Sequence, residues 1–324
     1  VVFSFRPRRA DKKPIKNRRQ PMTPRIASTP EHHANLIGSL WMMTAMVAFS
    51  FEDAFVKAVS ETHAVGQVLV VFGVGGAMLF AIVARFNKRR LLNPDVLSRA
   101  MGIRIVFEVI GRLFYVLALA LTPLSSTTAI LQATPIIVVL GAAILFGEKV
   151  GWRRWTAIII GLIGVLIILR PTADSFSALS LLAVIGTIGF AGRDLASRAA
   201  PVSLSTSILG FYGFVAIILA GILFSIWDGK AFTWMNTESY LYFVGAILMG
   251  AFAYAALMKA MRSGDVSAVT PFRYTRLLFG IALGMILFGE EPDMLMMIGC
   301  SIVVLSGLFI LWRRKITDEH LDTP

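Results

Sequence analysis

The sequence predicts an all-α polytopic membrane protein: ten transmembrane helices in two inverted five-helix repeats, with both termini cytoplasmic. Three observations predict it. First, 56% of the 324 residues are hydrophobic and only 15% are charged, with a mean hydropathy of +0.75. A soluble domain of this length would carry roughly 25% charge. Second, ten segments approach the roughly 20 apolar residues that a helix needs to cross the hydrocarbon core. Third, Leu145-Phe146-Gly147-Glu148 returns 142 residues later as Leu287-Phe288-Gly289-Glu290, each copy between long apolar runs. The charges that follow are opposite: Lys149, Arg153 and Arg154 after the first copy, Glu291 and Asp293 after the second. A duplicated membrane unit with reversed charge bias marks an inverted repeat.

Residues 1–33 are basic, polar and proline-containing, and read as a disordered cytoplasmic tail, with a targeting presequence as the rival reading. Val1 opens the chain and Met22 is its first methionine; a start at Met22 would leave residues 1–21 without function. The apolar run from Leu36 is too long for a cleavable signal and becomes the first span, about 36–58. The next four lie near 65–85, 101–121, 126–146 and 154–170. The second group lies near 177–198, 204–227, 238–260, 266–288 and 293–312. Turn-forming breaks such as Thr122-Pro123-Leu124-Ser125 and Trp227-Asp228-Gly229-Lys230 separate them. The expected units are therefore 34–171 and 172–316, five helices each, with a second cytoplasmic tail at 317–324.

Charge sets the orientation. With the N-terminus inside, the cytoplasmic loops hold eleven basic residues: Arg85, Lys88, Arg89, Arg90, Arg99, Lys149, Arg153, Arg154, Arg198, Lys259 and Arg262. The external loops hold two, Arg170 and Lys230. This is the positive-inside pattern, and it accounts for the net charge of +12 without invoking nucleic acid. The lone Cys300 excludes an intrachain disulfide and a thiolate metal cluster.

The stretches Pro135–Arg170 and Val269–Leu311 resemble the drug/metabolite transporter superfamily, specifically bacterial proteins with two EamA domains of five helices each. Members end the fourth and ninth helices in a similar Gly-Glu pair, followed by a helix with spaced small residues, here Ala157 and Gly164, then Gly299 and Gly307. The resemblance covers roughly residues 34–316. It implies a carrier, and its substrates in the family include amino acids, drugs, S-adenosylmethionine and riboflavin.

Ionisable side chains inside spans cost roughly 3 kcal/mol at mid-depth and usually face a cavity or a partner. Glu52, Asp53 and Lys57 lie in the first span, and a shift of 141 maps them onto Arg193, Asp194 and Arg198. The reversal of Glu52 against Arg193 would permit an ion pair across the pseudo-symmetry axis. Arg104, Glu108 and Arg112 share one stripe of the third span. Arg104 reads as a positive-inside residue. Arg112, the deepest, either joins a salt-bridged ladder or binds a substrate carboxylate or phosphate. In Pro271-Phe272-Arg273-Tyr274-Thr275-Arg276, the two arginines share a face and would clamp one anion or pair with acids elsewhere. The acids Glu52, Asp53, Glu108 and Asp194 formally balance Arg112, Arg193, Arg273 and Arg276, so only two or three of these eight are expected to touch substrate.

Gln132, Thr134, Tyr115 and Tyr254 either line the same cavity or serve as interhelical glue. Pro135 and Pro271 lie inside spans, where the missing N–H favours a kink. A shift of 142 takes Pro135 to Leu277, so the two kinks are expected at different heights. Glu148 and Glu290 read as structural or gating residues.

The expected function is secondary-active transport of a small organic metabolite by alternating access in the bacterial inner membrane. Deep arginines point to a zwitterionic or carboxylate-bearing substrate, and Phe51, Phe55, Tyr115 and Phe272 would suit a ring. The candidate substrate-binding residues are Arg112, Gln132, Arg273, Tyr274 and Arg276. The proton or ion-pair candidates are Glu52, Asp53, Glu108, Arg193 and Asp194. No Gly-rich phosphate loop occurs, so a proton or solute gradient is the expected drive. An intramembrane enzyme competes poorly: His32, His33, His63 and His320 fall in tails or a loop, and no Gly-x-Ser-x-Gly elbow or metal-ligand cluster is present. No catalytic residue, metal or cofactor is therefore expected. A channel or structural protein is the third reading. The expected partners are the solute and the lipid bilayer, with monomer and homodimer both open.

Overall fold

A computed structural model describes residues 30–148, 151–169, 179–263, 265–291, 293–302 and 305–306. Among these residues every regular element is helical. The chain runs through α1 (Pro30–Ser60), α2 (Val65–Phe86), α3 (Arg99–Leu121), α4 (Leu124–Leu131), α5 (Thr134–Phe146) and α6 (Trp152–Leu169). It continues through α7 (Ser180–Ala199), α8 (Thr206–Asp228), α9 (Thr237–Met261), α10 (Val266–Val269) and α11 (Thr275–Phe288), with a helical stretch at 294–302. These helices match the expected spans to within a few residues. The exception is α1, which begins at Pro30, inside the stretch read as tail; proline's preset φ suits a first helical position. The rest of that tail, the tail at 317–324 and the ends of the fifth and tenth spans lie outside the described residues.

Six helices are long and apolar enough to cross a membrane: 33–60, 65–86, 124–146, 206–228, 237–261 and 270–288. The third and seventh helices have comparable length but carry the buried charges described below. Chain stops follow local chemistry. Gly147 and Gly289, the glycines of the repeated tetrapeptide, end α5 and α11 in the left-handed region at φ +67° and +61°, where a side chain would be strained. Asn236 caps α9 by accepting a bond from Ser239 N at 2.7 Å.

Both proline-bearing spans are broken. Between α4 and α5 the ladder changes to i→i−3 bonds, Gln132 N to Ala129 O and Ala133 N to Ile130 O, each 3.0 Å, and Pro135 sits in the first turn of α5. Between α10 and α11 a 3₁₀ segment, Thr270–Tyr274, holds Pro271 in its first turn. Under the 142-residue shift the second break falls about one turn earlier than the first, as the unshared prolines imply.

The most extensive packing is α1 on α9, α3 on α7 and α2 on α8. A shift of about 142 residues exchanges the first two pairs and returns the third to itself, so the contacts repeat the symmetry of the sequence. The α3–α7 contact is backbone on backbone. A Cβ on Gly189 would strike the Cα and N of Gly111, with Phe107 O at 3.1 Å. Gly189→Ala is therefore expected to destabilise the fold by about 1–3 kcal/mol. Gly102→Ala, which meets nothing within 4 Å, should be neutral. Melting temperatures of the two purified variants check this.

Candidate functional site

Residues of α1 at helical spacing, Met46, Phe49, Glu52 and Asp53, turn one stripe into the centre of the bundle. Around it the described residues bury five arginines (104, 112, 193, 273 and 276) and four carboxylates (52, 53, 108 and 194), none more than 6% exposed. Two networks pair them. In the first, Arg276 Nη2 donates to both oxygens of Asp53 at 2.6 Å and its Nε donates to Oδ2 at 2.9 Å. Tyr115 adds its hydroxyl to Asp53 Oδ2 at 3.2 Å, and Arg112 Nη1 pairs with Glu52 Oε1 at 2.7 Å. In the second, Asp194 holds Arg193 Nε at 2.9 Å and Arg273 Nη2, while Arg193 Nη1 reaches Glu108 Oε1 at 3.3 Å. Tyr254 accepts from Arg104 and donates to Glu108 Oε2.

Several expectations change here. Arg104 is fully buried and donates to Ser197 Oγ at 2.9 Å and Leu209 O at 2.8 Å, so it is a network member instead of a positive-inside residue. Glu52 and Arg193 pair with Arg112 and with Glu108 and Asp194, not with each other. The reason is the glycine contact: α7 lies so close to α3 at Gly189 that Arg193, one turn on, meets Glu108 first. Glu52 instead finds Arg112 on α3.

The networks surround a small cavity of about 20 Å³, room for about one water. Four expected substrate residues line it, Arg112, Gln132, Arg273 and Arg276, together with Glu52, Arg193 and Thr134. Asp53, Glu108 and Asp194 stand behind as ion-pair partners. Tyr274 lies elsewhere: it packs with Ala129, Leu277, Ile281 and Cys300. The aromatic walls are Phe49 and Phe190. Phe51 is 39% exposed and Phe55 packs towards Tyr242, because the inward stripe of α1 passes through Phe49, Glu52 and Asp53. Helical spacing from Glu52 would have selected Phe49. Guanidinium groups cover these rings: Arg276 lies 4.8 Å from the centroid of Phe49, and Arg193 lies 4.6 Å from that of Phe190. Four lining residues keep a buried polar atom without a partner: Glu52 Oε2, Arg112 Nε, Gln132 Nε2 and Arg273 Nε.

The glutamates of the repeated tetrapeptide tie the broken helices down. Glu290 Oε1 accepts from Leu124 N at 2.7 Å, and its Oε2 accepts from Ser125 N at 3.0 Å and from the Ser125 hydroxyl, satisfying the free N–H groups that open α4. Glu148 Oε1 accepts from Val266 N at 3.2 Å, at the start of α10. The same 142-residue shift carries Glu148 to Glu290 and Leu124 to Val266, so each copy caps the broken helix of the other. The two caps lie at opposite ends of α1. Asn35 Oδ1 accepts from Asp265 N near one, and Lys57 Nζ donates to Thr122 O near the other, about 33 Å apart by helical rise.

A helical bundle with two broken helices meeting at a buried polar cavity, each broken helix capped by a carboxylate of the other copy, has the architecture of a membrane carrier. The chain belongs to the EamA-like transporter family, whose pattern matches residues 36–170 and again 178–312. It is 30% identical over 291 residues to a riboflavin transporter of Vibrio cholerae, covering 88% of this chain and 96% of that one. It is 24% identical over 285 residues to an S-adenosylmethionine uptake transporter of Rickettsia bellii, covering 86% and 94%. A chain solved by crystallography superposes with a TM-score of 0.67 at 18% identity, over 88% of this chain and 99% of that one.

Proposed function

We propose that this protein is a secondary-active carrier of a neutral heteroaromatic metabolite of the riboflavin class. In this reading it crosses the bacterial inner membrane ten times as two inverted repeats, both termini cytoplasmic, and works by alternating access. The observation that carries the substrate reading is the set of unpartnered atoms in the cavity wall. Three donors (Arg112, Gln132 and Arg273) and one acceptor (Glu52) complement an imide edge, in which one N–H stands between two carbonyls. Phe49 and Phe190 supply faces for a ring. The deep arginines already hold protein carboxylates, which favours a neutral polar solute over one that must bring its own carboxylate. Similarity to a riboflavin transporter supports the same choice.

A cavity of about 20 Å³ admits no metabolite, so binding requires the helices to part, and the breaks at Gln132–Ala133 and Thr270–Tyr274 are the natural hinges. Glu52 is the best-placed carrier of a coupled proton, since it lines the cavity and retains a free oxygen. Counterflow in proteoliposomes tests the reading: riboflavin should exchange saturably, and Gln132→Ala should raise its half-saturation roughly tenfold or more with little loss of stability. Exchange of S-adenosylmethionine alone, or ohmic current in place of exchange, would overturn it.

A further inference from the structure

Where α2, α7 and α9 finish and α8 begins, the surface opens into a cleft of about 870 Å³ that shares no lining residue with the central cavity. Four basic side chains line it, Arg89, Arg198, Lys259 and Arg262, with hydroxyls of Ser205 and Thr206 between them. A neighbouring cleft of about 430 Å³ shares Arg89, Lys259, Ser205 and Thr206. No described carboxylate lines either one. At the rim, Asp95 is engaged by the Ser203 hydroxyl.

Main-chain carbonyls and an aromatic face hold the basic groups in place. Arg262 Nη2 donates to Pro201 O at 3.0 Å and Arg198 Nη1 donates to Met261 O at 3.2 Å, while Lys259 Nζ lies 4.1 Å from the centroid of Trp41. No described carboxylate lies within ion-pair distance of Arg89, Lys259 or Arg262. Burial, and after it the positive charges of Arg104 and Arg198, push Arg262 below the usual arginine range. Membrane orientation asks only that basic residues occupy loops on one side. It does not ask them to converge on a concave, hydroxyl-lined surface.

We propose that this cleft binds a phosphate group, with Arg89, Lys259 and Arg262 supplying charge and Ser205 and Thr206 supplying hydrogen bonds. The phosphate belongs either to an anionic lipid headgroup or to a soluble phosphate ester. Thermal unfolding of the purified full chain in neutral detergent separates the sources. One arm adds phosphatidylglycerol, with phosphatidylcholine as control. The other adds glycerol phosphate, with chloride at matched ionic strength as control.

A rise in melting temperature with phosphatidylglycerol alone identifies a headgroup site. A rise with glycerol phosphate identifies a site for soluble esters. In either case Arg89→Gln/Lys259→Gln, both exposed, should weaken the response roughly thirtyfold, at about 1 kcal/mol for each basic residue near the surface. Arg99→Gln, an exposed arginine outside the cleft, should leave it unchanged. No rise with either phosphate probe, an unaltered response in the double variant, or an equal loss in Arg99→Gln overturns the proposal.

Discussion

Replacing Arg276 with glutamine is expected to remove most of the folded protein, and Asp53→Asn to do the same. The pair is bidentate, with contacts of 2.6 Å to each carboxylate oxygen, and both side chains are buried. Removing one partner strands the other charge where water cannot reach it, at a cost of about 3–5 kcal/mol. That is a large fraction of the 5–15 kcal/mol that typically separates folded from unfolded states. The double variant Asp53→Asn/Arg276→Gln should recover most of the stability, because the pair's worth lies in not being broken and its replacement by two neutral groups is close to balanced. It should not recover transport, since Arg276 also lines the cavity and covers the ring of Phe49. Size-exclusion yield and melting temperature of the three variants measure this. Single variants as stable as the parent would mean that the pair is wet, and the closed cavity would lose its main support.

Glu290→Gln is expected to loosen one end of the cavity and Glu148→Gln the other. The Glu290 carboxylate satisfies two backbone N–H groups and a hydroxyl at the positive end of α4. Glutamine keeps one acceptor and turns an NH₂ towards those donors. Hydrogen bonds to a charged group contribute about 1.5–3 kcal/mol, which converts to roughly 10- to 150-fold in the population of the open form. A cysteine placed at Leu131, on the cavity wall, in a Cys300→Ser background reports the opening. In the proposed orientation Leu124 lies at the external end and Val266 at the cytoplasmic end. Glu290→Gln should therefore speed labelling by an impermeant maleimide from outside, and Glu148→Gln from inside. Faster labelling from the same side in both variants would show that the caps are not opposed gates.

Much of this architecture is legible before any coordinates. Apolar runs and turn residues locate the helices to within a few positions, because a helix buried in hydrocarbon must satisfy its backbone internally and end where polar residues begin. The repeated tetrapeptide names the two glutamates, and the positions of Pro135 and Pro271 anticipate both helix breaks. Four of the five residues expected to meet substrate reach one cavity, since depth and stripe can be read from spacing alone. Tyr274 lies outside that cavity because a 3₁₀ segment turns successive residues through a different angle, which the regular helical period does not describe.

By itself, then, the sequence determined the helical membrane class, the duplication and the set of charges that must be buried. Each follows from composition or period, quantities that need no knowledge of neighbours. Only the tertiary structure decided which acid meets which arginine, that Arg104 and Tyr254 belong to the network, that Phe190 joins Phe49 on the cavity wall, and that each tetrapeptide glutamate caps the other copy's helix. Those outcomes depend on how far helices approach and how they rotate about their axes. At Gly111 and Gly189 the approach is set by two missing side chains, and the pairing of Arg193 with Glu108 follows from it.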